Sequence, residues 1–216
     1  MEMIELKNIT KKYGNLSVYN NFNLDIEKGK ITAILGESGS GKTTLLNVMT
    51  NLTDYQGSVT GVDEKIAFVF QKDRLVPNLT VGENLRLVNP NVDVIKTLDE
   101  YSIADKVDAY PKTLSGGQAR RLAIARAFCV DAKTVFMDEP FINLDVKLKF
   151  ELINKIKEKQ KTDNSTVIIV THDVKEAVSI ADRIIVLSNG EICLDVKRVN
   201  EKTENEILGL MINGKI

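Results

Sequence analysis

One segment constrains this chain more than any other. Gly36-Glu37-Ser38-Gly39-Ser40-Gly41-Lys42-Thr43-Thr44 fits the pattern G-x-x-x-x-G-K-[ST], directly after the apolar run Ile31–Leu35 and before the helical text Leu45-Leu46-Asn47-Val48-Met49. An ordinary glycine-rich turn needs neither a buried strand before it nor a helix after it; a phosphate-cradling loop needs both. The glycines let the backbone curl so that successive N–H groups face phosphate oxygens, and the helix start adds partial positive charge. The segment therefore predicts nucleotide binding. Lys42 would bridge the β- and γ-phosphates, the Thr43 hydroxyl would ligate Mg²⁺, and Thr44 would assist at the α-phosphate.

The surrounding text agrees with a parallel α/β sheet. Besides Ile31–Leu35, apolar runs at 66–70, 135–137, 167–170 and 184–187 have the Val/Ile-rich, unalternating character of strands covered on both faces. Residues 4–9 and 18–26, with Val18, Phe22, Leu24 and Ile26 pointing one way, predict an antiparallel edge sheet near the N-terminus. Helices are expected from Gly41 through Met49 and over 145–159, where Leu148, Leu152 and Ile156 recur every four residues and Lys147, Lys149, Glu151 and Lys155 face water. Between Gln71 and Lys133 the strand signal stops and only helical or loop text remains. Thr203 followed by Glu206 predicts a capping box opening a last short helix. The expectation is a single domain over 1–216: a P-loop parallel-sheet core with its antiparallel subdomain in 1–71 and 132–216, and a short helical insert in 72–131.

Composition narrows the function classes. Lys+Arg 29 against Asp+Glu 30 leaves a net charge of -1, which excludes nucleic-acid binding driven by overall charge. No apolar run reaches the ~18 residues a membrane span needs, and the first dozen residues are not signal-like. Two cysteines, no CxxC and one histidine exclude a disulfide framework or a Cys/His metal site, so a reduced, cytosolic setting is expected.

A second acidic anchor follows from the loop. Asp138-Glu139-Pro140 stands at the C-terminal tip of the 135–137 strand, the edge at which open α/β sheets bind ligands. Alone, such a tripeptide is a solvated turn or loop cap; beside a phosphate loop, Asp138 fits the acid that holds Mg²⁺, and Glu139 is placed to polarise an attacking water as general base.

Leu114-Ser115-Gly116-Gly117-Gln118, ahead of a helix through Ala123, Ala125 and Ala127, then sets the chain apart from a generic P-loop enzyme. Ser115 and the two glycines expose donors at a helix start, a second anion site. With this signature the chain resembles the ABC-type ATPases, the nucleotide-binding subunits of ATP-binding-cassette transporters. One chain has no use for two γ-phosphate cradles around one ATP. The resemblance implies two chains facing head to tail, each signature closing on the other's ATP. It also implies that Tyr13 stacks on adenine, that Gln71 reaches Mg²⁺ and the attacking water, that Asp145 in Asn143-Leu144-Asp145 crosses the dimer interface, and that His172 in Thr171-His172-Asp173 contacts the γ-phosphate. Ile142-Asn143 departs from the small-residue pair common in that loop. The resemblance runs from Ile4 to Val196.

Such a cassette drives membrane partners, so it implies transmembrane permease subunits, a peripheral position on the inner face of the cell membrane and, for an importer, an extracytoplasmic solute-binding protein. Residues 72–85 lie where family members receive a helix of the permease, with Arg74, Leu75, Pro77 and Leu79 offering a docking groove. Arg74-Leu75-Val76-Pro77 followed by Thr80-Val81-Gly82-Glu83-Asn84 resembles importer cassettes for nitrate, sulfonate, taurine or thiamine precursors, with Asn78 where those usually carry Trp. Import is favoured; the alternative is an exporter or a non-transport membrane complex of the cell-division type. A small-molecule kinase would have no use for 114–118. A DNA-repair cassette would need a long coiled coil, and a translation factor two cassettes. No nucleic-acid partner is expected.

Overall fold

The computed structural model describes residues 2–212. Among these residues, nine strands and seven α-helices follow in the order β1 (Met3–Tyr13), β2 (Leu16–Glu27), β3 (Ile31–Leu35), α1 (Lys42–Met49), β4 (Gln56–Thr60), β5 (Ile66–Val69), α2 (Val81–Arg86), α3 (Val94–Glu100), α4 (Gly116–Cys129), β6 (Thr134–Asp138), α5 (Val146–Asp163), β7 (Thr166–Thr171), α6 (Val174–Ile180), β8 (Arg183–Ser188), β9 (Glu191–Val196) and α7 (Thr203–Ile212). The main sheet runs β5-β6-β7-β3-β8-β9, parallel except for β9, which pairs antiparallel with β8 at the edge. A second, antiparallel sheet runs β2-β1-β4. No strand occurs between β5 and β6 among the described residues; α2, α3 and α4 occupy that interval.

The central strands are buried along their whole length because each face feeds a different core. Alternate side chains of a strand point to opposite faces. Ala33, Leu35, Val135, Met137, Val167 and Ile169 join the core under α2 to α6, while Ile34, Phe136, Ile168 and Val170 join the one shared with α1 and the antiparallel sheet. Val81, Leu85, Val94 and Leu98 from the helical interval pack into the first of these cores. This two-sided packing is what turns Val/Ile-rich runs without alternation into parallel strands. Truncating Phe136, fully buried at the centre, would cost about 3–5 kcal/mol.

Several local expectations change. In β2, Asn21 takes a left-handed φ of 55° and the register slips between Ile9 and Lys11, so that Tyr19, not Val18, shares the buried face with Phe22, Leu24 and Ile26. Lys149 and Lys155 do not simply face water: Lys149 pairs with Glu176 at 2.5 Å and Lys155 with Glu100 at 3.4 Å. The cap of α7 lies earlier than Thr203/Glu206. The Thr203 hydroxyl accepts from the Asn200 N–H at 3.0 Å, the Asn200 side chain accepts from Lys202, and the Glu206 N–H goes to the Lys202 carbonyl. β4, β9 and α6 carry no expectation above; both strands are mostly exposed edges, β4 with Val59 as its one apolar side chain and β9 with Ile192, Leu194 and Val196 alternating.

What matters for function is that four strands end in one row. Leu35 pairs with Thr171, Asp138 with Val170, and Val69 with Met137. The residues that follow these ends, or terminate them, are Gly36, Asp138-Glu139, His172 and, two beyond Val69, Gln71.

Candidate functional site

The loop after β3 is held by contacts that only its glycines permit. A Cβ on Gly36 would lie 2.4 Å from the Leu187 carbonyl and 2.6 Å from Ser40 Oγ. Gly41 has φ 105°, and a Cβ there would lie 2.7 Å from the Tyr19 hydroxyl, which donates to the Gly41 carbonyl at 3.0 Å. Gly41 is also the N-cap of α1, and no side chain caps that helix, leaving its first N–H groups for an anion. Ser40 is buried, with its hydroxyl unpartnered.

Lys42, only 7% exposed, folds back across the loop and donates to the Gly36 carbonyl at 2.7 Å and the Glu37 carbonyl at 2.8 Å. Burial lowers its ammonium from the usual lysine range, against the opposing pull of Glu139 and Asp138. Next to it, the Thr43 hydroxyl donates to Asp138 Oδ2 at 3.0 Å, with Oδ1 at 3.2 Å. Burial raises the Asp138 carboxyl and Glu139 adds to the rise, while the Thr43 hydrogen bond, Lys42 and Arg120 resist it. A hydroxyl and a carboxylate this close are hard-oxygen donors of the kind Mg²⁺ takes while keeping its other positions for phosphate and water. No cluster of three or more His, Cys, Asp or Glu suited to a metal occurs among the described residues.

Glu139 turns sharply off β6, with φ 48° and its N–H bonded to the Val170 carbonyl at 3.0 Å. Its carboxylate meets His172 Nδ1 at 2.9 and 3.0 Å. An ionised carboxylate only accepts, so in that state Nδ1 carries the proton and Nε2 is left for another partner. The Glu139 side chain is nearly buried while that of His172 is 60% exposed, so the pair runs from the strand end outward.

These groups line one cleft of about 690 Å³. Around it stand Tyr13, the loop residues Gly36, Glu37, Ser38, Gly39, Gly41, Lys42, Thr43 and Thr44, and Gln71, Asp138, Glu139 and His172. Ser40, buried within the loop, does not line the cleft. Tyr13, 45% exposed, has the Lys11 ammonium 4.5 Å from its ring centre. Leu16, Val18, Ile142 and Met211 also line the cleft; Val18 and Ile142 enter the sequence reading only as a strand residue and as part of an atypical pair, and nothing local marks any of the four as lining a site.

Leu114, Ser115, Gly116, Gly117 and Gln118 are not in the cleft. Ser115 caps α4 through a reciprocal box: its hydroxyl accepts from the Gln118 N–H at 3.2 Å, and the Gln118 side chain accepts from the Ser115 N–H at 2.9 Å. Gly116 faces open space. Asp145 is likewise outside, exposed and capping α5 through the Leu148 N–H at 3.0 Å. The Leu114–Gln118 helix start and the phosphate-loop cleft thus do not meet within one copy.

Comparison with known proteins decides the family. The profile described as ABC transporter matches residues 19–142. The chain belongs to the ABC transporter family. Among its relatives, the aliphatic sulfonates import ATP-binding protein SsuB 2 of Pseudomonas savastanoi pv. phaseolicola is 36% identical over 90% of this chain and 74% of the relative. The sulfate/thiosulfate import ATP-binding protein CysA of Escherichia coli K12 is 37% identical over 88% of this chain and 58% of its own. Among solved structures, the dimeric post-hydrolysis state of the cassette MJ0796 bound to ADP and Pi superposes with a TM-score of 0.81 at 31% identity, over 91% of this chain and 99% of that one. A nucleotide-free ATP-binding cassette gives 0.84 at 25% identity, over all of this chain. This cassette is an ATP-binding α/β protein and an ATPase. No helix among its described residues is long and apolar enough to cross a membrane.

Proposed function

We propose that this cassette is the ATP-binding subunit of a solute importer, hydrolysing Mg-ATP as a head-to-tail pair docked on permease subunits at the inner face of the membrane. Importer relatives at 36–37% identity support the direction, and the dimeric cassette supports the pairing. One observation carries the reading. Lys42, Thr43–Asp138 and Glu139–His172 share a cleft from which the same chain's Leu114–Gln118 segment is absent. The unit spans 1–216, with 72–131 as its helical insert bearing the signature.

In this reading Tyr13 and the apolar Leu16 and Val18 receive the adenine. The loop N–H groups and Lys42 neutralise the phosphate tail, where preorganised donors act most strongly in a water-poor site. Thr43 and Asp138 would hold Mg²⁺, with Gln71 beside it; the ion would draw charge off the phosphate oxygens. Glu139 takes the proton of the attacking water, and His172 fixes the carboxylate through Nδ1 and turns its outer edge to the γ-phosphate. The second copy supplies Ser115, Gly116, Gly117 and Asp145, and the attraction lapses on hydrolysis, passing motion to the permease. The test is phosphate release by the purified chain with Mg²⁺ and with a chelator. Turnover per chain should climb with protein concentration and cease on chelation; a concentration-independent rate would refute the paired site.

A further inference from the structure

The loop that carries Gln71 is held by the helix that carries the signature. Arg120, five residues beyond Ser115 on α4 and only 4% exposed, donates through Nη1 to the Phe70 carbonyl at 2.8 Å and through Nη2 to the Gln71 carbonyl at 2.6 Å. Its charge is answered by Asp73 at 3.2 Å, close but not aligned as a hydrogen bond. Six residues on, Arg126 Nη2 donates to the Arg74 carbonyl at 2.9 Å and the Asp73 carbonyl at 3.3 Å. Two guanidiniums on one helix therefore hold four carbonyls within the five residues 70–74, Arg120 as a fork through both Nη atoms and Arg126 through Nη2 alone. A fork fixes position in a way a flexible ammonium does not.

We infer that Arg120 is a positioning residue for hydrolysis: it sets Gln71 against the attacking water, so that a signature engaged on the partner's ATP adjusts the water site of its own chain. The inference rests on the proposed role of Gln71. The link is short and rigid, because α4 starts at the signature and the fork binds the backbone of Gln71 itself. The other possibility is that Arg120 only closes a loop over the core.

A double-mutant cycle on the full chain separates the two. Arg120→Lys keeps a cation beside Asp73 but loses the fork. We expect nucleotide affinity within about twofold of native and kcat lowered about tenfold, the scale of a slight misplacement of a reacting group. In a Gln71→Ala background the same change should cost less than about twofold, since no side chain remains to be aimed. An equal loss of kcat in both backgrounds would overturn the inference and leave Arg120 a scaffold residue. If Gln71→Ala alone left kcat untouched, the role of Gln71 would fall and this inference with it, a result distinct from simple additivity. Arg120→Gln combined with Asp73→Asn, which removes both charges together, repeats the cycle should the lysine variant melt early.

Discussion

His172 Nδ1 lies 2.9 and 3.0 Å from the two carboxylate oxygens of Glu139, a contact spanning the ends of neighbouring strands β7 and β6. Two residues bonded this way act as a unit, and units respond to mutation non-additively. Glu139→Gln should lower kcat by about 10²–10⁴-fold, the range of a general base, with nucleotide still bound. His172→Ala should be similarly slow, and the double variant little worse than either. Single-turnover kinetics on the three proteins would show it.

Lys42 spans the phosphate loop with two bonds to carbonyls and is the cation nearest the proposed phosphates. Lys42→Ala should weaken Mg-ATP binding by about 100-fold or more, since charge-assisted bonds are worth about 1.5–3 kcal/mol each. Isothermal titration reads this directly. Native affinity in the variant would remove Lys42 from the site.

In the proposed site, Asp138 serves binding at the expense of stability. Burial holds its carboxyl above the ordinary 3.8, so the folded chain keeps that proton more tightly than the unfolded chain does. Stability is therefore lost as pH rises from the ordinary value through the raised one, and stays lost above it. Asp138→Asn, which still accepts from Thr43, should raise the melting temperature of the nucleotide-free protein at neutral pH. It should also abolish any added stabilisation by Mg²⁺ with ATP. Melting curves at several pH values, with and without the metal, test both halves.

Ser115 caps α4 and stands outside the chain's own cleft. Ser115→Arg should leave ATP affinity unchanged and cut turnover at least about 100-fold, the scale of losing an oxyanion donor. Losing the cap costs about 1 kcal/mol by itself. Ser115→Asp keeps a cap while setting a negative charge against the partner's phosphate, so it should melt like the native chain and be equally inactive. An active aspartate variant would detach the signature from catalysis.

Much of this was legible because the chemistry of a phosphate loop is written in consecutive residues. Gly36 to Thr44 need one another as neighbours, and the strand ends carrying Asp138 and His172 announce themselves by Val/Ile runs. Contacts between residues far apart in the chain were not legible. Nothing near Arg120 in the sequence says that it reaches the carbonyl of Gln71, or that Met211 closes one side of the cleft. The Val18-for-Tyr19 exchange has the same origin: the bulge at Asn21 is settled by pairing with β1, and one extra residue reverses every inward-facing position before it. β4, an exposed edge strand with Val59 as its one apolar side chain, leaves hardly any pattern to read, whereas the alternation of Ile192, Leu194 and Val196 in β9 is there but too short and too near the sheet's edge to stand out.

The claim at the centre is that a working site needs two copies of this chain. Mass determination by light scattering on Glu139→Gln, with Mg-ATP and without nucleotide, addresses it most directly. The account predicts one chain's mass alone, two chains' mass with ATP, and a return to one when Ser115→Arg is added. A Glu139→Gln protein that binds ATP and remains a single chain would contradict it.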